Sequence, residues 1–151
     1  MSGVLVCIPA RRGDLDALRR DPVDAITANQ ALFDTLDYTA DMAEEAEYAA
    51  LVLASVWALA RHGERFVVTA EVAASQVVAG DEVDNGGIRV SGLRRDQLIA
   101  CFDDGLARAD EATAAAGAAR GLSIDEAWDR AEVAALLQHE LLWHTIEEGG
   151  Y

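Results

Sequence analysis

The segment Gln138-His139-Glu140-Leu141-Leu142-Trp143-His144 sets two imidazoles around a carboxylate, the residue types that hold zinc on a metalloprotease helix. That motif needs its histidines at i and i+4, about 40° apart on one helix face. Here His144 follows His139 by five residues, which is roughly 140° on a helix. On a strand, an odd separation sends the two rings to opposite faces. The spacing assigns both histidines structural roles and excludes a shared ion unless the chain breaks between them.

Asp103 and Asp104 close an apolar run, Leu98–Phe102. Strand ends are where α/β sites gather, and one or two carboxylates suffice for Mg²⁺, so this pair is the candidate metal site. The competing reading has Asp103 end the strand and Asp104 open the next helix, with Arg108 at i+4. Arg11 and Arg12 follow the first apolar run, and Arg94 and Arg95 precede the Leu98 run. If those ends adjoin, Arg11, Arg12, Arg94 and Arg95 form a ligand-binding pocket for an anion. Asp14, Asp16 and Asp96 offer them surface pairing instead.

Covalent catalysis finds no footing. Cys7 and Cys101 lie inside apolar runs, where thiols are buried and inert. There is no G-x-S-x-G elbow, no P-loop and no G-x-G-x-x-G. Asp81–Gly86 lacks the length and the closing Glu of a calcium loop. No catalytic residue and no cofactor is assigned, and Trp57, Trp128 and Trp143 are expected as core anchors.

The elements that would position these groups follow from periodicity. Gly3–Ile8 reads as a buried strand stopped by Pro9, and Asp24–Thr27 as a second. Asp14–Arg20 and Asn29–Leu36 read as short helices. Asp41–His62 is a long helix with a capping-box pattern at Asp41/Glu44 and a stop at Gly63. Its second half is apolar almost all round, so it is buried on several sides or meets a partner. Arg65–Val72 alternates like a half-buried strand, and Asp84-Asn85-Gly86-Gly87 marks a turn before a strand at Ile88–Ser91. Leu98–Phe102 is a further strand. Two helices come next, the first closed by Gly121 and the second opened by a capping box, Ser123/Glu126, with an inner stripe of Ile124, Ala127, Trp128, Ala131 and Ala135. Glu140–Ile146 ends the pattern as a strand or a helix extension. The expected fold is α+β: a mixed sheet of five to six strands, with helices mainly on one face.

A chain of 151 residues is expected to be one domain, residues 1–151, burying roughly 68–70% of its unfolded surface. The formal charge is −15, from 27 acids against 12 bases, and every base is Arg. Residues 103–151 hold −8 of that charge. Phosphate contacts need clustered cations, so direct nucleic-acid binding is disfavoured. Two thiols without C-x-x-C spacing, no run near the ~20 apolar residues of a membrane span, and no signal-peptide pattern point to the cytoplasm.

The order of segments resembles a family of short, acidic actinobacterial proteins known only as a domain of unknown function. The resemblance is carried by the opening strand ending in Pro-Ala (Val4–Ala10) and the acidic lead-in to an Ala-rich helix (Glu44-Glu45-Ala46-Glu47-Tyr48-Ala49-Ala50). The strands at Arg65–Val72 and Ile88–Gly92 and the His-Glu-Leu-Leu-Trp segment at His139–Trp143 continue it. This chain departs from the pattern with His144 in place of an expected Tyr. The resemblance implies a bacterial cytoplasmic protein and transfers no catalytic residue.

The residues point first to a non-catalytic interaction or regulatory domain, self-associating through the long helix or the terminal segment. The alternatives are a small-ligand or anion-binding protein, enzymatic or not, with its site at Arg11/Arg12 or Asp103/Asp104, and an acidic decoy of nucleic acid. The position of the largest cavity separates the first two.

Overall fold

The computed structural model describes residues 3–14, 18 and 22–151. The helix expected at Asp14–Arg20 therefore falls largely outside the described residues.

Among the described residues seven strands form one sheet: β1 (Val4–Pro9), β2 (Val23–Ile26), β3 (Val67–Val72), β4 (Val77–Ala79), β5 (Gly87–Val90), β6 (Leu98–Asp103) and β7 (Leu142–His144). Their order is β4-β5-β2-β1-β3-β6-β7, and every pairing is antiparallel. The expectation of a mixed sheet of five to six strands is corrected on both counts. β4 has three residues, too few to show an alternation. An intervening helix suggests parallel neighbours, but here α1 (Gln30–Thr35) and α2 (Ala43–His62) carry the chain from β2 past β1 to β3. The two parallel strands never adjoin.

Three more helices, α3 (Ala109–Ala119), α4 (Ile124–Trp128) and α5 (Ala131–Leu136), lie between β6 and β7 in sequence. α2 packs on β1, β2 and β3 and beneath α3 and α4, so Leu53 through Ala60 are all buried. The apolar second half of the helix is thus packed inside the molecule from Leu53 to Ala60. Gly63 ends the helix in the left-handed region (φ 83°), as its position required. The N-terminus departs from expectation: Asp41 accepts the Thr39 hydroxyl, and the cap position falls to Met42 without a side-chain bond.

The Ser123/Glu126 capping box forms in both directions, at 3.2 and 3.1 Å. The helix it opens stops early, because Arg130 is extended and divides α4 from α5. Trp128 is consequently 41% exposed, and the inner row is Ile124, Ala127, Val133 and Leu136. Trp143 is 60% exposed, so only Trp57 anchors the core. β3 is buried on both faces except at Glu71, since it lies between β1 and β6 rather than at an edge.

Each face of the sheet has its own core. Cys7, Ile26 and Val67 pack with the helices on one side. Val6, Ile8, Phe66, Val68 and Cys101 face the other, where Ile146 and Tyr151 of the C-terminal segment cover them. The two thiols are free, and burial pushes Cys7 up to about 12 and Cys101 to about 11. Among the described residues no helix is long and apolar enough to cross a membrane.

Candidate functional site

β1 and β6 are both antiparallel to β3, so they run the same way. Pro9 lies opposite Val67, and Val67 opposite Phe102, which brings the end of β1 to the end of β6. Arg12, just past β1, meets Asp103, the last residue of β6, in an ion pair. The loop is held in place along its backbone. The Arg12 N–H donates to Glu64 Oε1 at 3.3 Å, the Gly13 N–H to the Gly149 carbonyl at 3.0 Å, and the Tyr151 hydroxyl to the Arg11 carbonyl. The Arg12 guanidinium also lies 5.1 Å from the Phe66 ring centroid, a cation–π distance.

The topology separates the four arginines expected to converge. Arg94 and Arg95 precede β6 and lie at the opposite end of that strand from Asp103. Arg94 pairs with Asp96 at 3.1 Å, and Arg95 donates to the Tyr151 carbonyl at 2.9 Å. Arg11 turns to His62, with Nε 3.3 Å from Nδ1. Burial and the flanking Arg11 and Arg61 hold His62 below the usual histidine range. One arginine of the four, Arg12, thus joins the carboxylate cluster.

β7 supplies the third group. Cys101 lies opposite His144 and Asp103 opposite Leu142, so Asp103 and His144 are diagonal neighbours on one face. Asp103 Oδ1 is 2.8 Å from His144 Nε2 and accepts the Gly105 N–H at 3.1 Å. Gly105 turns the chain here at φ 73°, a left-handed conformation that favours glycine. His139 bonds Glu111 at 2.9 Å, so the two histidines meet different carboxylates.

Asp104 does something else. Its carboxylate takes Arg65 Nε at 2.9 and 3.1 Å and Nη2 in addition, in a pair whose side chains are 7% and 2% exposed. Arg65 Nη2 also donates to the His139 carbonyl at 3.0 Å, with the Leu136 carbonyl 3.4 Å away, at the C-terminal end of α5. This pair ties β3, β6 and α5 together.

Both pairs open onto one cavity of about 670 Å³ at the ends of β1 and β6. Arg12, Arg65, Asp103, Asp104 and His144 give it charge, and Gly105, Leu106, Ala109 and Ala112 give it apolar wall. Each aspartate already meets a guanidinium, and among the described residues no three His, Cys, Asp or Glu groups are gathered as metal ligands. The chemistry on offer is a polar pocket with an oriented base. With Nε2 directed at Asp103, the Nδ1 of His144 has no hydrogen-bond partner among the described residues, the arrangement of a base held by a third group. Sequence reasoning missed His144 and Arg65. His144 was read only against His139, whereas its partner lies 41 positions away on a neighbouring strand. Arg65 carried no local signal: it lies on the row of Val67, Thr69 and Glu71, the more polar row of an alternating strand, and that row's burial depends on the neighbouring β1 and β6.

Comparison with curated proteins returns no match, and comparison with solved structures returns none. The family comparison is different. Residues 4–150 match the model of a family of unknown function, and the chain belongs to that family, DUF6912.

Proposed function

We propose that this protein binds a small polar molecule in the cavity at the ends of β1 and β6. The observation that carries the reading is the convergence of Arg12, Asp103 and His144 from three separate segments onto one cavity of ligand size. The ligand would present an acidic oxygen group to Arg12 and a hydrogen-bond donor to His144. Asp103 holds the imidazole by its Nε2 edge, so the other ring nitrogen is oriented toward a bound molecule as a hydrogen-bonding group. The two free, buried thiols support a cytoplasmic setting, the Lys-free, Ala-rich composition supports a GC-rich genome, and the family resemblance implies an actinobacterial source.

Calorimetric titration with phosphate, small carboxylates and nucleotides tests the reading. Binding of at least one member, weakened tenfold or more in both Arg12→Ala and His144→Ala, is the expected result. No binding, or equal binding to the variants, would sink it. A Mg²⁺-dependent rise in Tm, lost in Asp103→Asn, would support instead the cation reading of Asp103 and Asp104.

A second reading keeps the interaction domain, now through the terminal segment. Leu142 and Trp143 are 49% and 60% exposed on β7, which is an edge strand and so a template for pairing. A concentration-dependent dimer that Trp143→Ala abolishes would favour it.

A further inference from the structure

A second concave surface lies on the helical side of the molecule, away from the cavity at the ends of β1 and β6. Its rings come from three segments: Tyr38 ahead of α2, Tyr48 on the first half of α2, and Trp128 at the end of α4. Glu44 and Glu45 stand on the same groove, Glu44 one helical turn before Tyr48. The volume is about 570 Å³. Phe33 meets Tyr38 edge-on at 6.4 Å and 89°, which orients that ring before anything binds. Arg130 divides α4 from α5, and this break is what leaves Trp128 on the surface instead of in the core.

The chemistry of this groove is specific. Aromatic faces attract a cation lying within about 6 Å of the ring centroid, and carboxylates beside them add charge. No cation among the described residues lies within ion-pair distance of Glu44 or Glu45. Tyr48, on the acidic first half of α2, is 56% exposed, and Trp128, at the end of α4, is 41% exposed. The groove is therefore ready for a positive group that none of the described residues supplies.

Three occupants can be weighed. A second copy of the chain also carries −15, so like charges oppose its approach. A free small amine would have most of its surface enclosed in a dedicated site, whereas two of the three rings here are about half open to solvent. A lysine or arginine side chain on a polypeptide needs enclosure only of its tip and stem, and its neighbours gain from the acidic field around it. We propose that the Tyr38–Tyr48–Trp128 groove docks a basic segment of a partner protein, seating one lysine or arginine side chain between the rings and Glu44 and Glu45.

The test uses the full chain and a synthetic lysine/arginine-rich peptide, titrated at low salt and followed by calorimetry. Three comparisons accompany it: the same peptide with citrulline and norleucine in place of its cations, tetramethylammonium alone, and the variants Trp128→Ala, Tyr48→Ala and Glu44→Gln/Glu45→Gln. Circular dichroism verifies that each variant is folded; all four positions are exposed at the surface. The expected result is saturable binding of the basic peptide, weakened about tenfold or more by either aromatic variant and by the double glutamine variant, with the uncharged peptide silent. Peptide binding that depends on salt but is equal in the aromatic variants would reduce the effect to the general acidic field and overturn the proposal. Absence of binding would overturn it as well. Tetramethylammonium binding as tightly as the peptide would reassign the groove to a small organic cation.

Discussion

Asp103 and Asp104 are neighbours in sequence and differ in every other respect. Asp104 is locked with Arg65 in a pair almost closed to water, and removing one partner of such a pair leaves an uncompensated buried charge. Asp104→Ala is expected to lower the unfolding free energy by about 3–5 kcal/mol in urea titration, whereas a loss under about 1 kcal/mol would show that water reaches Arg65. Asp103 instead faces the cavity with Arg12 and His144, and its replacement should tell on ligand binding. His62 offers a prediction in pH. Its native pKa lies below its unfolded value of about 6.5, so the unfolded state binds the proton more readily. The His62 contribution to stability is therefore complete above pH ~6.5 and is lost as pH falls from there through the depressed native value. Urea titrations of the wild type and His62→Gln across that window should give a flatter profile for the variant; identical profiles would remove His62 from the pH response. At this scale the sequence was half legible. Arg12 and Asp103 were visible as charged residues at strand ends, but which end meets which depends on strand direction. His144 stood in a local pattern with His139, but its partner Asp103 lies 41 positions away.

The elements were easier to read where one face met one environment. Gly63, the Ser123/Glu126 box and the β1 and β2 runs follow from local chemistry and fall within a residue or two of their expected ends. What failed depended on tertiary neighbours. β4 is too short to alternate, β3 is central, and the Arg130 break frees Trp128 from the stripe its spacing implied. β7 and the segment after it carry the most consequence for the site. Gly149 crosses directly over the second core: a Cβ there would lie 2.4 Å from Cys101 Sγ and 3.3 Å from Phe66 Cζ. Gly149→Ala is expected to cost about 1–3 kcal/mol, the usual penalty for forcing atoms into a packed interior. Because the Gly149 carbonyl also receives the Gly13 N–H, the same substitution should loosen the loop that presents Arg12. Amide exchange at Gly13, faster in the variant than in the wild type, checks that link; unchanged exchange would separate the C-terminal segment from the site.

At the scale of the molecule, the sheet explains why the charges gather where they do. A strand that returns antiparallel on each side of β3 aligns the ends of β1 and β6, and the C-terminal segment closes over the opposite face while fixing the β1 loop. The long helix, whose breadth suggested an interface, is the shared core between sheet and helices. Three surfaces offered for recognition are the strand-end cavity, the aromatic groove and the edge at β7. The cavity is tested most directly by two-dimensional amide NMR of the labelled wild type, titrated with phosphate, small carboxylates and nucleotides. The prediction is saturable shifts concentrated at Arg12, Gly63–Arg65, Asp103–Leu106, Thr113 and His144 for at least one of these, and their loss in Arg12→Ala. No saturable shifts with any of them, or shifts centred outside those residues, would contradict it.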